Sequence, residues 1–255
     1  DRPELAGIPS RGLVTMCTSD RRVRQWMTDS LTHLFREVPD LAGVFTITAS
    51  ENPTNCAFAG GQEACSRCRH RTQAEIVVEV NAAIEEGVHL GNPNARVIAW
   101  DWGWNKHGDA TETIAKLPNN IELMSVSEWS LPIERGGIKS EVGEHAISAV
   151  GPGPRAQYHW SLARQRGLKT VAVVHVNTTC EMMSLPFLPV IDLVAEHAAN
   201  LSREQIDGVM LSWSMGGYPS TNLKVFQAVL EQGGVGDQYD GAGADSATRG
   251  NTFAE

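Results

Sequence analysis

The sequence is short of cysteine, of positive charge and of long apolar runs, and each shortage excludes something. Five cysteines in 255 residues is too low and too odd a count for a disulfide scaffold; it fits a reducing compartment, and a cytoplasmic location is expected. Lys+Arg number 21 against 30 Asp+Glu, a formal charge of -9, which argues against nucleic acid as the main partner. No run of about 18 apolar residues and no basic-then-apolar leader is present, so no membrane partner is expected. The chain begins at Asp1 rather than Met, which leaves room for an upstream leader or segment. Neither G-x-G-x-x-G nor a Walker motif follows the first apolar run, which continues as CTSDRRV.

What is present is a chain with enough apolar residues, 42%, to bury a core. Short apolar runs alternate with segments of helical period, the order of a parallel sheet with covering helices. The runs are GLVTMC (12–17), GVFTITA (43–49), RVIAWD (96–101), IELMSV (121–126), KTVAVVHV (169–176) and DGVMLSW (207–213). Helices are predicted from the Ser19/Asp20 caps to Val38, over Thr72–Glu86 with Gly87 as the stop, over 109–117, from Pro154 to Gly167, over 185–200 and over 221–232. Residues 233–255 are rich in Gly, Asp and Ser and predict a flexible C-terminal tail behind a domain spanning 1–232.

Polar and aromatic residues gather after several different strands, as SEN, DWGW, SEWS, HVNTT and SWSMGGYP. That distribution predicts a (β/α)8 TIM-type barrel with its chemistry at the carboxyl ends of the strands. About six βα units are visible, two short of eight, so the barrel is expected to be incomplete or completed by another chain, and self-association to a homo-oligomer is expected.

The stretch VPDLAGVFTITASENPTN (38–55) resembles barrel glycoside hydrolases, particularly the family-20 hexosaminidases and, more distantly, the α-glucuronidases. The resemblance implies that the acidic residue after this strand, Glu51, enters the sugar site. Ser50 stands where the hexosaminidase pattern has Asp, so an acetamido-assisted mechanism is not implied.

Glycoside cleavage needs a carboxylic acid to protonate the departing oxygen and a second carboxylate opposite it. Glu51 is assigned as the acid, and Glu128 in SEWS and Asp101 in WDWGW are the candidates for its partner. Nucleophile, base and hydroxyl-binding roles stay open between them. Sugars stack their C–H faces on indoles, so Trp102, Trp129 and Trp213 are candidate platforms, with plain core packing as the alternative for each. Asn52, His175 and Asn177 are candidate hydroxyl contacts; a buried histidine bonded to a carbonyl is the alternative at His175. The long segment 132–154 is a candidate lid, with Glu134, Arg135, Lys139 and Glu144 on it.

Cys56, Cys65 and Cys68, with His70 following, crowd one loop and point to a structural zinc. The fourth ligand is His70, or Cys17 or Cys180 if the loop folds across strand ends. A Cys65–Cys68 redox pair, a Cys56 disulfide or free thiols are the alternatives. The sequence therefore predicts a zinc-containing glycosidase acting on a carbohydrate. Two other readings remain: a zinc-dependent hydrolase with a catalytic cysteine loop, and a carbohydrate-binding barrel without turnover.

Overall fold

The computed structural model describes residues 2–10, 12–50, 53–104, 109–182, 184–213 and 218–232. An antiparallel hairpin, β1 (Ala6–Ser10) and β2 (Leu13–Met16), precedes α1 (Arg21–Glu37) and β3 (Gly43–Ile47). Then come α2 (Gln73–Gly91), β4 (Arg96–Trp100), α3 (Thr111–Lys116) and β5 (Glu122–Val126). A second hairpin, β6 (Pro132–Arg135) and β7 (Ile138–Glu141), is followed by α4 (Pro154–Gln165), β8 (Thr170–Val174), α5 (Ile191–Arg203), β9 (Gly208–Leu211) and α6 (Thr221–Glu231).

Among the described residues the full (β/α)8 barrel is not formed. The parallel sheet has five strands in the order β3-β4-β5-β8-β9, a half-barrel. The apolar run 12–17, read as its first strand, instead turns back on β1 through Gly12, whose φ of 77° is the left-handed conformation a tight hairpin needs. The proposed tail, 233–255, lies outside the described residues.

Strand order never reverses along this sheet. Right-handed crossovers therefore put every connecting helix on one face, unlike a doubly wound sheet, whose order switches direction. The side chains agree. Val97, Ala99 and Leu123 join the core beneath α2 and α3, and Ala172 and Val174 join that beneath α5 and α6. Their neighbours Ile98, Trp100, Met124, Val126, Val171, Val173 and Met210 form a cluster with Trp102, Trp129 and Trp213 that contains no helical residue. The period-2 alternation thus sorts a helix-covered face from an inner one.

The inner face is strongly concave. Phe45 lies on edge strand β3 and Trp213 just beyond edge strand β9, four strand spacings away, which in a flat sheet is about 19 Å. Their ring centroids are 5.9 Å apart. Trp100 lies between them, 6.2 Å from Phe45 and 5.1 Å from Trp213, and Trp102 stacks on Trp100 at 4.8 Å. Ser212, with φ 68°, interrupts the strand alternation and lets Trp213 turn inward beside Met210.

Helix ends follow the expected chemistry. Asp20 accepts from the Arg22 N–H, and Thr72 and Glu75 form a capping box. α2, however, runs through Gly87 to Gly91, because the glycine is a packing device there and not a stop. A Cβ at Gly87 would lie 2.7 Å from the Thr28 carbonyl oxygen and 2.9 Å from Leu31 Cβ of α1. The helix predicted over 185–200 starts only at Ile191, since Pro186 and Pro189 disfavour a helix across them.

Helix propensity favours alanine over glycine by about 1 kcal/mol, but the close α1–α2 seam should reverse that sign. Gly87→Ala is expected to destabilise the fold by about 1–3 kcal/mol, measured by urea unfolding; a gain in stability would contradict the packing role.

Candidate functional site

Asp101 and Glu128 follow neighbouring strands β4 and β5, yet their surroundings differ completely. Asp101 continues the alternation of Val97 and Ala99 toward the helices. Its Oδ2 accepts from Ser125 Oγ at 2.6 Å and His159 Nδ1 at 2.7 Å, and Arg155 Nη2 is 3.2 Å away. Burial alone would raise its pKa, but Arg155 and His159 overcome this and hold it below the ordinary carboxylate range. Arg155 also lies over the Trp129 ring at 4.3 Å. Asp101 thus ties α4 to the end of β4 through Oδ2, its Oδ1 being buried without a hydrogen-bond partner among the described residues.

Glu128 lies two residues past the end of β5, with Oε1 3.9 Å from His197 Nδ1 of α5. It is fully buried, and burial pushes its pKa up to about 8 against a weaker lowering by backbone N–H groups. Oε1 accepts from the His175 N–H at 3.4 Å; Oε2 is buried and has no hydrogen-bond partner among the described residues. A carboxyl group that keeps its proton at neutral pH, with one oxygen uncommitted, is the form a general acid takes.

His175 stands beside it, and His145 lies against His175. His175 Nδ1 bonds the Thr178 carbonyl at 2.9 Å, and its ring stacks on His145 at 4.1 Å. Burial lowers the pKa of both, that of His145 to about 3, so both rings are neutral. His175 Nε2 and both nitrogens of His145 have no partner among the described residues. Asn177 is committed to the loop before α6, donating to the Tyr218 carbonyl at 2.8 Å and accepting from Ser220 Oγ at 2.6 Å. Trp102 and Trp213 are half-buried within the aromatic cluster. Glu51 and Asn52 lie outside the described residues.

The segment 132–154 is a hairpin turned by Gly136 and Gly137, both with positive φ, followed by a loop that packs down. Arg135 donates to Ser148 Oγ at 2.7 Å, and Ser148 in turn bonds Glu181 in the loop after β8. Sequence reasoning missed Arg155, His159, His145 and His197. Three carried a signal: Arg155 and His159 are i, i+4 on α4, and His197 interrupts the apolar stripe Val194, Ala198, Leu201 of α5.

The second constellation is sulfur-rich. Cys17 follows β2, Cys56 the loop after β3, and Cys65 and Cys68 the turns before α2; their Sγ atoms all lie within 4.8 Å of one another and all four residues are buried. Cys17 Sγ is 3.7 Å from Cys65 and 3.6 Å from Cys68. Four thiolates about 2.3 Å from a tetrahedral zinc have edges of about 3.8 Å, so the donor set fits. Hydrogen bonding from Cys56 lowers the Cys17 pKa to about 4, against burial and with help from Arg67. Arg67 Nε donates to Cys17 Sγ at 3.2 Å while its other nitrogens hold the Glu4 and Ala6 carbonyls. His70 is exposed and outside this group, and Cys180 is exposed as well; Cys17 fills the fourth corner.

No protein-family model and no curated protein matches the chain. By fold it is an α/β half-barrel, and among solved structures it is similar to an agarase, AgWH50C. The identity is 10% and the TM-score 0.53, over 86% of this chain and 40% of that one. At this identity the likeness shows the fold alone, and the chain spans less than half of the agarase. Among the described residues no helix is long and apolar enough to cross a membrane.

Two outcomes follow from these sites. Glu128 has a folded pKa near 8 against an ordinary 4.5, so the unfolded chain loses its proton first. Its contribution to stability is full below about pH 4.5 and is lost as pH rises through 8. Glu128→Gln should therefore leave stability at pH 4 nearly unchanged and raise it at pH 9 by on the order of 3–5 kcal/mol, read from urea unfolding at the two pH values. Metal analysis of the purified chain should find one zinc per chain. Cys17→Ser should reduce that content and lower Tm by roughly 10 °C, the equivalent of about 3–5 kcal/mol; wild-type Tm unmoved by a strong chelator would contradict the site.

Proposed function

We propose that this half-barrel is the catalytic unit of a glycoside hydrolase in which Glu128 is the general acid. The observation that carries the reading is the buried carboxyl at the end of β5, raised to about pKa 8 with Oε2 unpartnered. Proton donation to a departing glycosidic oxygen needs a group still protonated at working pH. Asp101, ionised and tied to Arg155 and His159, is unsuited to the second carboxylate's part. Glu51, which the sequence places just after β3, is the proposed counterpart. Trp102 and Trp213, half-buried in the aromatic cluster, are the proposed sugar platforms.

The cysteine group is proposed to hold a structural zinc. Cys17, Cys56, Cys65 and Cys68 would hold it, and it would cross-link the N-terminal hairpin to the β3–α2 loop. Four thiolates leave no position for a water or substrate, which counts against a zinc-dependent hydrolase. The similarity to an agarase adds agarose oligosaccharides to the substrates to try.

The test is hydrolysis of a panel of aryl glycosides and agarose oligosaccharides by the full chain, with Glu128→Gln alongside. Turnover of one substrate, reduced at least about 100-fold in the variant and falling in the wild type above pH 8, is expected. Equal turnover by the variant would move the acid elsewhere. Sugar binding without turnover would favour a carbohydrate-binding half-barrel.

A further inference from the structure

Glu128 is flanked by a buried arrangement that the proposed reaction does not itself require. Just past the end of β5, Ser127 Oγ lies 2.7 Å from His197 Nε2 on α5. The other ring nitrogen, Nδ1, lies 3.9 Å from Glu128 Oε1, too far for a hydrogen bond but close enough for its dipole to matter in a dry site. The chain is drawn tightly over this pair. The Gly153 N–H donates to the Ser127 carbonyl at 2.8 Å, and Asn200 of α5 donates to the Gly151 carbonyl at 2.8 Å. A Cβ at Gly151 would come within 2.6 Å of Ser127 Oγ and 2.8 Å of His197 Nε2. No room remains for a substrate at Ser127, so the triad-like order Ser127–His197–Glu128 is not a nucleophile.

We infer that His197, fixed by Ser127, is a positioning residue that presents an Nδ1–H to Glu128 Oε1 and leaves Oε2 as the oxygen that carries the proton. This rests on the reading of Glu128 as the general acid. His197 is buried and neutral, its pKa lowered to about 4 by burial, so it carries a single N–H. With that proton on Nε2, the Nδ1 lone pair would face Oε1 and draw the carboxyl proton onto that oxygen, which already accepts from the His175 N–H, leaving Oε2 without it. With Ser127 donating to Nε2, the proton sits on Nδ1 and both neighbours of Oε1 are donors. The titratable groups around this carboxyl are His175, His197 and Glu181, the last raising its pKa slightly.

The ring nitrogens of His197 in the 15N-labelled full chain report this directly, assigned through side-chain to backbone connectivities. A neutral ring protonated at Nδ1 from pH 5 to 9 is expected. An Nε2–H tautomer, or an imidazolium titrating in that range, would overturn the inference. Ser127→Ala should shift the tautomer toward Nε2–H and move the carboxyl 13C midpoint of Glu128, assigned by its absence in Glu128→Gln, while Ser127→Thr restores both. On any glycoside the chain hydrolyses, Ser127→Ala should lower kcat about tenfold with KM within twofold. Retained turnover in Glu128→Gln would defeat the acid assignment whatever the tautomer; an Nε2–H tautomer with turnover lost in Glu128→Gln would defeat only the positioning role.

Discussion

The structure depends on a sheet whose strands are added always on the same side. Because the order β3-β4-β5-β8-β9 never reverses, the helices share one face, and the other must bury its apolar side chains without them. The sheet does so by curling until rings from its opposite edges touch, Phe45 against Trp213. Strand ends then converge on the concave side, and this convergence brings residues far apart in sequence, such as Glu128 and His175, into one polar patch.

Between the two buried carboxyls at neighbouring strand ends, the decisive difference is the charge of the partners rather than residue type. Asp101 and Glu128 are both fully buried. One is surrounded by a guanidinium, an imidazole and a hydroxyl; the other sees backbone N–H groups and neutral histidines. The same cost of burial is therefore offset in one case and left to raise the pKa in the other. A carboxylate that anchors a helix and a carboxylic acid at the neighbouring strand end differ only in which helix supplies a cation.

Five of the six strands and the order of the helices were legible in the sequence, because near-continuous apolar runs and caps such as Asp20 and Thr72 are local signals. Strand count was not. GLVTMC has the composition of a buried strand, but Gly12 and the preceding β1 offered it a hairpin partner, and pairing is settled by tertiary contacts. Glu128 was legible as a candidate, whereas its separation from Asp101 was not, since that difference is made by Arg155 and His159 arriving from α4. Three cysteines were visible in one loop; the fourth, Cys17, lies about 40 residues earlier and reaches the group only once the hairpin is folded. Reading Gly87 as a helix stop failed for a related reason: its missing side chain serves the neighbouring helix α1.

The aromatic cluster also makes the sheet its own optical reporter. Trp100, Trp102 and Trp213 have ring centroids 4.8 to 6.0 Å apart, close enough for their electronic transitions to couple. Trp213 joins the other two only while β9 is held on the curled sheet. The coupled rings should therefore give a circular-dichroism signal that belongs to curvature itself, and its loss would mark the sheet opening even where the helices persist.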